Sequence, residues 1–188
     1  MLEVKGIIEI VGDSAVGKTA LAIYIKKELK TLYICSRISK KGWFPEHFII
    51  ERIDSFLGLK VFIAKDLKRI VNAQKIEKII LDGLEDYLYI IEKPRKHSNE
   101  IFRIVKILKY LYFAKNVSII IINNSYGKWE VDGVRIANNY FGLPWEYMIN
   151  ARYLVSRIYN QRWVGLVTGN TNIHKRFYID DLGLHFED

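Results

Sequence analysis

The stretch that decides the fold runs Ile7-Ile8-Glu9-Ile10-Val11, then Gly12-Asp13-Ser14-Ala15-Val16-Gly17-Lys18-Thr19, then Ala20 onward to Thr31. The middle piece has the phosphate-loop spacing G-x-x-x-x-G-K-[ST]. Each residue type there has a physical job. Gly12 and Gly17 can take backbone angles closed to other residues, so the main chain can close around a phosphate. The amides that follow stand at a helix N-terminus, where unpaired N–H groups and the helix dipole favour an anion. Lys18, the one candidate catalytic residue of the loop, would reach the β- and γ-phosphates, and the Thr19 hydroxyl would bind Mg²⁺. The candidate nucleotide-binding set is therefore Gly12, Asp13, Ser14, Ala15, Val16, Gly17, Lys18, Thr19 and Ala20.

The motif requires an apolar strand before it and a helix after it. Ile7, Ile8, Ile10 and Val11 supply the strand. Leu21, Ala22, Ile25 and Leu29 recur at helical spacing, with Lys26, Lys27 and Lys30 on the other side, which predicts a helix from Ala20 to Thr31. A glycine turn with a chance lysine would not bring this context with it.

A chain of 188 residues, half hydrophobic and 27% charged, can bury a substantial core and fits one domain spanning 1–188. No apolar run approaches a membrane span. Only a few residues precede the first strand, so no signal peptide is expected. The single cysteine, Cys35, excludes an internal disulfide, and no Cys/His cluster has zinc spacing. A cytoplasmic protein with no membrane partner is the expectation. The net charge is +8, and the segment from Lys93 to Arg135 carries nine Lys/Arg against three Asp/Glu. That concentration fits either a polyanionic partner or a solvated basic helix.

Further along, Leu32 to Cys35 reads as a second strand and Ser36 to Pro45 as a loop. Phe48, Ile49, Ile53, Phe56 and Leu57 have helical spacing, which predicts a helix from Glu46 to Leu57 ended by Gly58. Val61 to Ile63 reads as a strand and Asp66 to Lys75 as a helix. Lys78-Ile-Ile-Leu-Asp82 is an apolar strand ending in aspartate, the Walker B form, whose carboxylate holds the Mg²⁺ shell opposite Thr19. Glu85 and Asp86, just beyond it, are expected to face the side of a helix. Lys93 to His97 is a basic loop, and Glu100 to Lys115 is the clearest helix in the chain. Val117 to Ile122 is apolar on both faces, as a central parallel strand should be, and runs into Asn123-Asn124. A second loop, Ser125 to Arg135, carries Lys128, Trp129 and Arg135. From Ala151 the rhythm changes to short strands, with a hairpin turn at Asn160-Gln161. The fold class is thus α/β: a mostly parallel central sheet flanked by helices, with an antiparallel extension from about residue 151.

With these pieces placed, the chain resembles the ATPase core of the RecA/RadA recombinase family, in particular the short archaeal RadA paralogues of RadB type. The phosphate loop leads. Trp43-Phe-Pro-Glu-His47 is similar to a Phe-Arg-Pro-Glu-Arg segment of RadA-like proteins, and Ile80-Leu-Asp-Gly-Leu84 to their Walker B strand. Leu108 to Asn124 is similar to a helix and strand ending Thr-Asn-Gln, here Ile-Asn-Asn. The tail adds Gly142, Trp145, Arg152-Tyr-Leu, Val164-Gly-Leu-Val-Thr168 and Phe177-Tyr-Ile-Asp-Asp-Leu-Gly183. The resemblance implies a RecA-like sheet, ATP and Mg²⁺ as cofactors, Asn123 and Asn124 as sensor residues at a strand end, and two loops that meet single- or double-stranded DNA. Those loops are Lys93 to Asn99, with Lys93, Arg95 and Lys96, and Ser125 to Arg135, with Lys128, Trp129 and Arg135. Cations there would bind phosphates without reading sequence. Trp129 would either stack on a base or pack beneath the loop.

One departure bears on activity. The family carries a catalytic glutamate shortly after the second strand, whereas this strand runs into Cys35-Ser36-Arg37. Arg37 would pair with a γ-phosphate or face solvent. Nucleotide binding is therefore expected, with slow or absent hydrolysis. The short N-terminus leaves no place for the helical domain that full recombinases polymerise with, so the expectation is an accessory factor that touches DNA, a recombinase or repair protein, or further copies of itself. The alternatives are a KaiC-like regulatory ATPase acting on a protein partner, a small-molecule kinase, for which no arginine-rich lid is visible, and a subunit that holds nucleotide as a structural element.

Overall fold

The computed structural model describes residues 6–37, 44–89, 98–124, 128–131, 134–137, 143–167, 174–180 and 183–187. Its centre is three apolar strands lying side by side: β1 (Ile7–Gly12), β5 (Ser118–Asn124) and β4 (Lys78–Asp82). All three run parallel, with Ile7 opposite Ile119 and Ile79 also opposite Ile119. Strands buried on both faces are near-continuous isoleucine because neither face meets water. Beyond β4 lie β2 (Thr31–Cys35) and then β3 (Phe48–Arg52), both parallel to their neighbours. On the other side of β1 lies β8 (Ala151–Ile158), also parallel to it. Antiparallel pairing starts only at β9 (Gln161–Leu166) and continues through β10 (His174–Asp180) and β11 (Gly183–Phe186). The sheet of described residues thus has the order β11-β10-β9-β8-β1-β5-β4-β2-β3.

The period of two along each strand divides the interior into two cores. Ile7, Ile119 and Ile121 face one, closed by α5 (Ser98–Lys115), where Ile101, Ile104, Val105, Leu108 and Leu111 are all buried. Ile8, Ile10, Ile120 and Ile122 face the other, closed by α1 (Lys18–Tyr24) and by Val164, Phe177 and Leu184 of the terminal strands. The sites that follow sit where the parallel strands end, between these cores, as binding sites of open α/β sheets do.

Five sequence expectations give way. The helix after the phosphate loop stops at Tyr24 rather than Thr31. Lys26 takes a left-handed φ of 49°. The ammonium of Lys78, wholly buried at the start of β4, donates to the carbonyls of Ile25 at 2.8 Å, Lys26 at 3.1 Å and Ile23 at 3.3 Å. A cation placed on the last carbonyls of a helix satisfies its orphan acceptors and suits its dipole. Burial holds the Lys78 pKa down at about 8.

The expected helix from Glu46 to Leu57 is instead β3 followed by α2 (Phe56–Val61). The helical spacing straddles both: Phe48 packs in one core and Ile49 on the other, which is strand alternation. The Ser55 hydroxyl accepts the Gly58 N–H, so Ser55 caps α2 and Gly58 lies in its first turn instead of ending a helix. The expected strand at Val61 to Ile63 is a π-helical turn (Phe62–Asp66) joining α2 to α3 (Leu67–Gln74), with Ile63 buried in the core against α5. A short apolar run does not by itself distinguish strand from buried helix. Lastly, the expected loop from Ser125 to Arg135 contains β6 (Lys128–Val131) paired antiparallel with β7 (Val134–Ala137). The β8–β9 turn falls at Tyr159-Asn160, one residue earlier than expected, with Tyr159 at φ 54°.

Replacing Lys78 by Ala removes the donor from three carbonyls at the end of α1. The variant is expected to lose about 2–4 kcal/mol in urea unfolding, because buried acceptors without partners bear their full desolvation cost.

Candidate nucleotide site

The site is assembled where β1 ends. Gly12 lies so close to β8 that a Cβ on it would sit 2.1 Å from the Val155 carbonyl oxygen. Gly17 caps α1 at φ 109°, and a Cβ there would meet Ile179 Cδ1 at 2.9 Å. The Val155 backbone leaves no room for a side chain at Gly12, and Gly17 holds a left-handed φ that side chains rarely adopt, which is the physical content of the two glycines in the motif. Between them Ala15 takes a left-handed φ of 62°. The loop so formed opens on a cleft of about 700 Å³. Ser14, Ala15, Gly17, Lys18, Thr19 and Ala20 line it, while Val16 turns inward and is buried in the core beside α1. Gly12 and Asp13 are not part of its lining, and their carbonyls accept from Lys18. The Lys18 ammonium donates to Gly12 O at 2.9 Å, to Asp13 O at 2.7 Å and to Asn124 Oδ1 at 3.0 Å. Burial lowers its pKa, and the nearby carboxylates of Glu85, Asp82, Asp13 and Asp86 work against that shift.

Thr19 and Asp82 meet as the sequence pattern requires. The Thr19 hydroxyl donates to Asp82 Oδ2 at 3.0 Å, and the Tyr33 hydroxyl of β2 donates to the same oxygen. Burial raises the Asp82 pKa, opposed by those two hydrogen bonds. The donor set fits Mg²⁺. Thr19 and Asp82 supply two hard oxygens, and their 3.0 Å separation equals the edge of an octahedron with metal–oxygen bonds of about 2.1 Å. Among the described residues no group of three or more His, Cys, Asp or Glu gathers to hold a metal, here or elsewhere. Tyr33 is buttressed by Phe44, with ring centroids 4.7 Å apart, so the segment around Phe44-Pro45 supports the carboxylate indirectly.

The two asparagines at the end of β5 part company. Asn124 reaches Lys18. Asn123 points through the other face of the sheet, where its amide donates to Glu9 Oε1 at 2.7 Å. It belongs to a buried network in which Glu9 also accepts from Trp145 Nε1 at 2.9 Å and pairs with Arg152 at 2.6 Å. Adjacent strand residues face opposite sides, so only one of an Asn-Asn pair can enter the cleft.

The larger correction concerns Glu85. It does not face the side of a helix; it is 2% exposed and lines the cleft. Gly83 takes a φ of 77° and donates its N–H to Ile122 O at 2.9 Å, turning the chain back over the end of β5. Glu85 Oε1 then accepts the Asn124 main-chain N–H. Burial raises the Glu85 pKa to about 7. The signal in the sequence was the glycine directly after Asp82. Asp86 also lines the cleft, as do Arg162, Ile179 and Asp180 from the terminal strands. No local motif pointed to those three, since β9 and β10 reach the loop only through sheet order. Arg37 stands on the cleft wall while remaining exposed.

Of the candidate DNA contacts, Lys93, Arg95 and Lys96 lie outside the described residues. Lys128 and Trp129 lie on β6 and Arg135 on β7, with Trp129 opposite Ile136 and Glu130 opposite Arg135 in the register.

No protein-family model and no curated protein matches this sequence. Among solved structures it is similar to a crystal structure of the RadB recombinase, with a TM-score of 0.76 over 95% of this chain and 89% of that one, at 18% identity. The fold is therefore the RecA-like fold of that structure, with the same mostly parallel sheet and antiparallel terminal strands.

The Glu85 shift sets a pH dependence. A carboxyl whose folded pKa stands above its unfolded value stabilises the fold fully below about 4.5 and loses that contribution as pH rises through about 7. The Glu85→Gln variant, which mimics the protonated form, should gain on the parent as pH rises from 5 to 8. The difference in Tm is expected to grow by on the order of 5 °C.

Proposed function

We propose that this chain is a RadB-like member of the RecA/RadA family that binds ATP with Mg²⁺ and serves DNA recombination or repair as an accessory factor. One observation carries the nucleotide part: a buried Lys18 ammonium lies beside the Thr19–Asp82 oxygen pair at the mouth of a loop bounded by two glycines, one pressed against the Val155 backbone and one at a left-handed φ. Lys18 donates to two loop carbonyls and the Asn124 amide oxygen, acceptors that a phosphate oxygen outbids, because an anion pairs with an ammonium more strongly than a neutral carbonyl does. The bound Mg²⁺ would neutralise charge on the β- and γ-phosphates. Thr19 and Asp82 would hold it, and Tyr33 would orient Asp82. Asn124, bonded to Lys18, is placed to sense whether the ammonium has moved to a phosphate.

The DNA part rests on charge. Residues 93–135 carry a net +6, and this span includes the segments that follow the Walker B strand and β5. The fold shared with a recombinase supports a role in the same kind of process. No carboxylate follows β2 before Glu46, so turnover by the isolated protein is expected to be slow.

Calorimetric titration with ATP, ADP and GTP in the presence of Mg²⁺ tests the first part, and Lys18→Ala should abolish the heat of ATP binding. Binding of single- and double-stranded DNA at two salt concentrations tests the second. Affinity should fall about tenfold or more between 50 and 200 mM salt if several phosphates are neutralised. DNA binding absent at both concentrations would favour the KaiC-like alternative, with a protein as target.

A further inference from the structure

We propose that Glu85 is the catalytic carboxylate of this protein, holding the attacking water for hydrolysis of the bound nucleoside triphosphate. The inference rests on the nucleotide reading above and goes beyond it. Hydrolysis needs a hydrogen-bond acceptor for water beside the phosphate end of the loop. The sequence from Ser36 to Pro45 contains no acid, so none comes from the segment after β2. Asp82 is committed to Thr19 and Tyr33, and Asp180 accepts from the Gly183 N–H and His185.

Glu85 differs from both, and from Asp86, which also lines the cleft but is only half-buried. It is 2% exposed, lines the cleft, and uses one oxygen only. Oε1 takes the Asn124 N–H, while Oε2 is buried without a hydrogen-bond partner among the described residues. A buried carboxylate oxygen left without a donor is costly, and such groups persist where water or a ligand completes them. The same Asn124 that holds Glu85 through its main chain accepts the Lys18 ammonium through its side chain. One residue thus fixes the acid next to the cation that would hold the γ-phosphate. The anchor is rigid, because Asn124 ends the central strand and Gly83 is bonded to Ile122 of that strand. Burial brings the Glu85 pKa near neutrality, where a carboxylate can accept a proton as readily as release it.

The step balances without a further reactant. The water oxygen forms a bond to the γ-phosphorus, and the bond from that phosphorus to the β–γ bridging oxygen breaks, its electron pair leaving with the nucleoside diphosphate. The water proton passes to Glu85 Oε2 and then to solvent. The products are the diphosphate, inorganic phosphate and that proton.

A merely structural Glu85 would serve by accepting the Asn124 N–H, and glutamine does that equally well. Glu85→Gln therefore separates the two roles. ATP·Mg²⁺ affinity is measured by calorimetry, and cleavage by single turnover with protein in excess, with and without single-stranded DNA. The expected result is affinity within about threefold of the parent and a cleavage rate lowered about 100-fold or more. Cleavage at the parent rate in Glu85→Gln overturns the proposal, as does a parent protein that binds ATP and never cleaves it. A parent that binds no nucleotide defeats the nucleotide reading itself, a separate and earlier failure. Should Glu85→Gln not fold, Glu85→Asp keeps the charge but withdraws it by one methylene. It should bind ATP and cleave about tenfold or more slowly, and unchanged cleavage overturns the proposal.

Discussion

The Lys18 ammonium is the point on which the site depends. It is buried, so it must be bonded, and its three acceptors come from two separate elements: Gly12 and Asp13 on the loop, Asn124 on β5. A cation held in this way keeps the loop curled, which would lower the ordering cost of binding the proposed phosphate. It also surrounds itself with acids. Glu85, Asp82, Asp13 and Asp86 all favour its charged form, and burial works against them. The site is therefore a cluster of one cation and several carboxylates, two of which have raised pKa values and hold protons more readily than exposed acids do.

Behind the cleft a second polar cluster fixes the strands that carry it. Glu9 stands in the middle of β1, almost fully buried, and accepts from Asn123 of β5, Trp145 of α6 (Leu143–Glu146) and Arg152 of β8. A buried ion pair is offset against its desolvation only when its hydrogen bonds are well formed. Here three different elements supply donors to one carboxylate. The pair contributes register more than raw stability: β1 can slide against neither β5 nor β8 without breaking it. The Gly12–Val155 contact at the end of the same strands tolerates no such slip either.

The places where sequence reading failed share one cause. Lys78 ends α1 from 52 and 53 residues away, so the helix signal of Ile25 and Leu29 was overruled by a donor that no local pattern reveals. Phe48 and Ile49 looked helical because a five-residue strand and the helix after it happen to keep a common spacing. Glu85 was expected against the side of a helix, while a glycine turn in fact folds it under β5. Arg162, Ile179 and Asp180 reach the cleft through the order of strands in the sheet, which depends on long-range pairing.

What the residues alone determined was local chemistry with a fixed spacing: the loop from Gly12 to Thr19, the aspartate at the end of an apolar strand, the isoleucine strands and the long amphipathic helix. Those features are written within a few residues of one another, because turn geometry, capping and periodicity act at that range. Which asparagine enters the cleft, which acid stands beside Lys18 and where the first helix stops were decided by tertiary structure. Each depends on the direction of a strand face or on a donor brought from a distant element, and packing alone supplies that information.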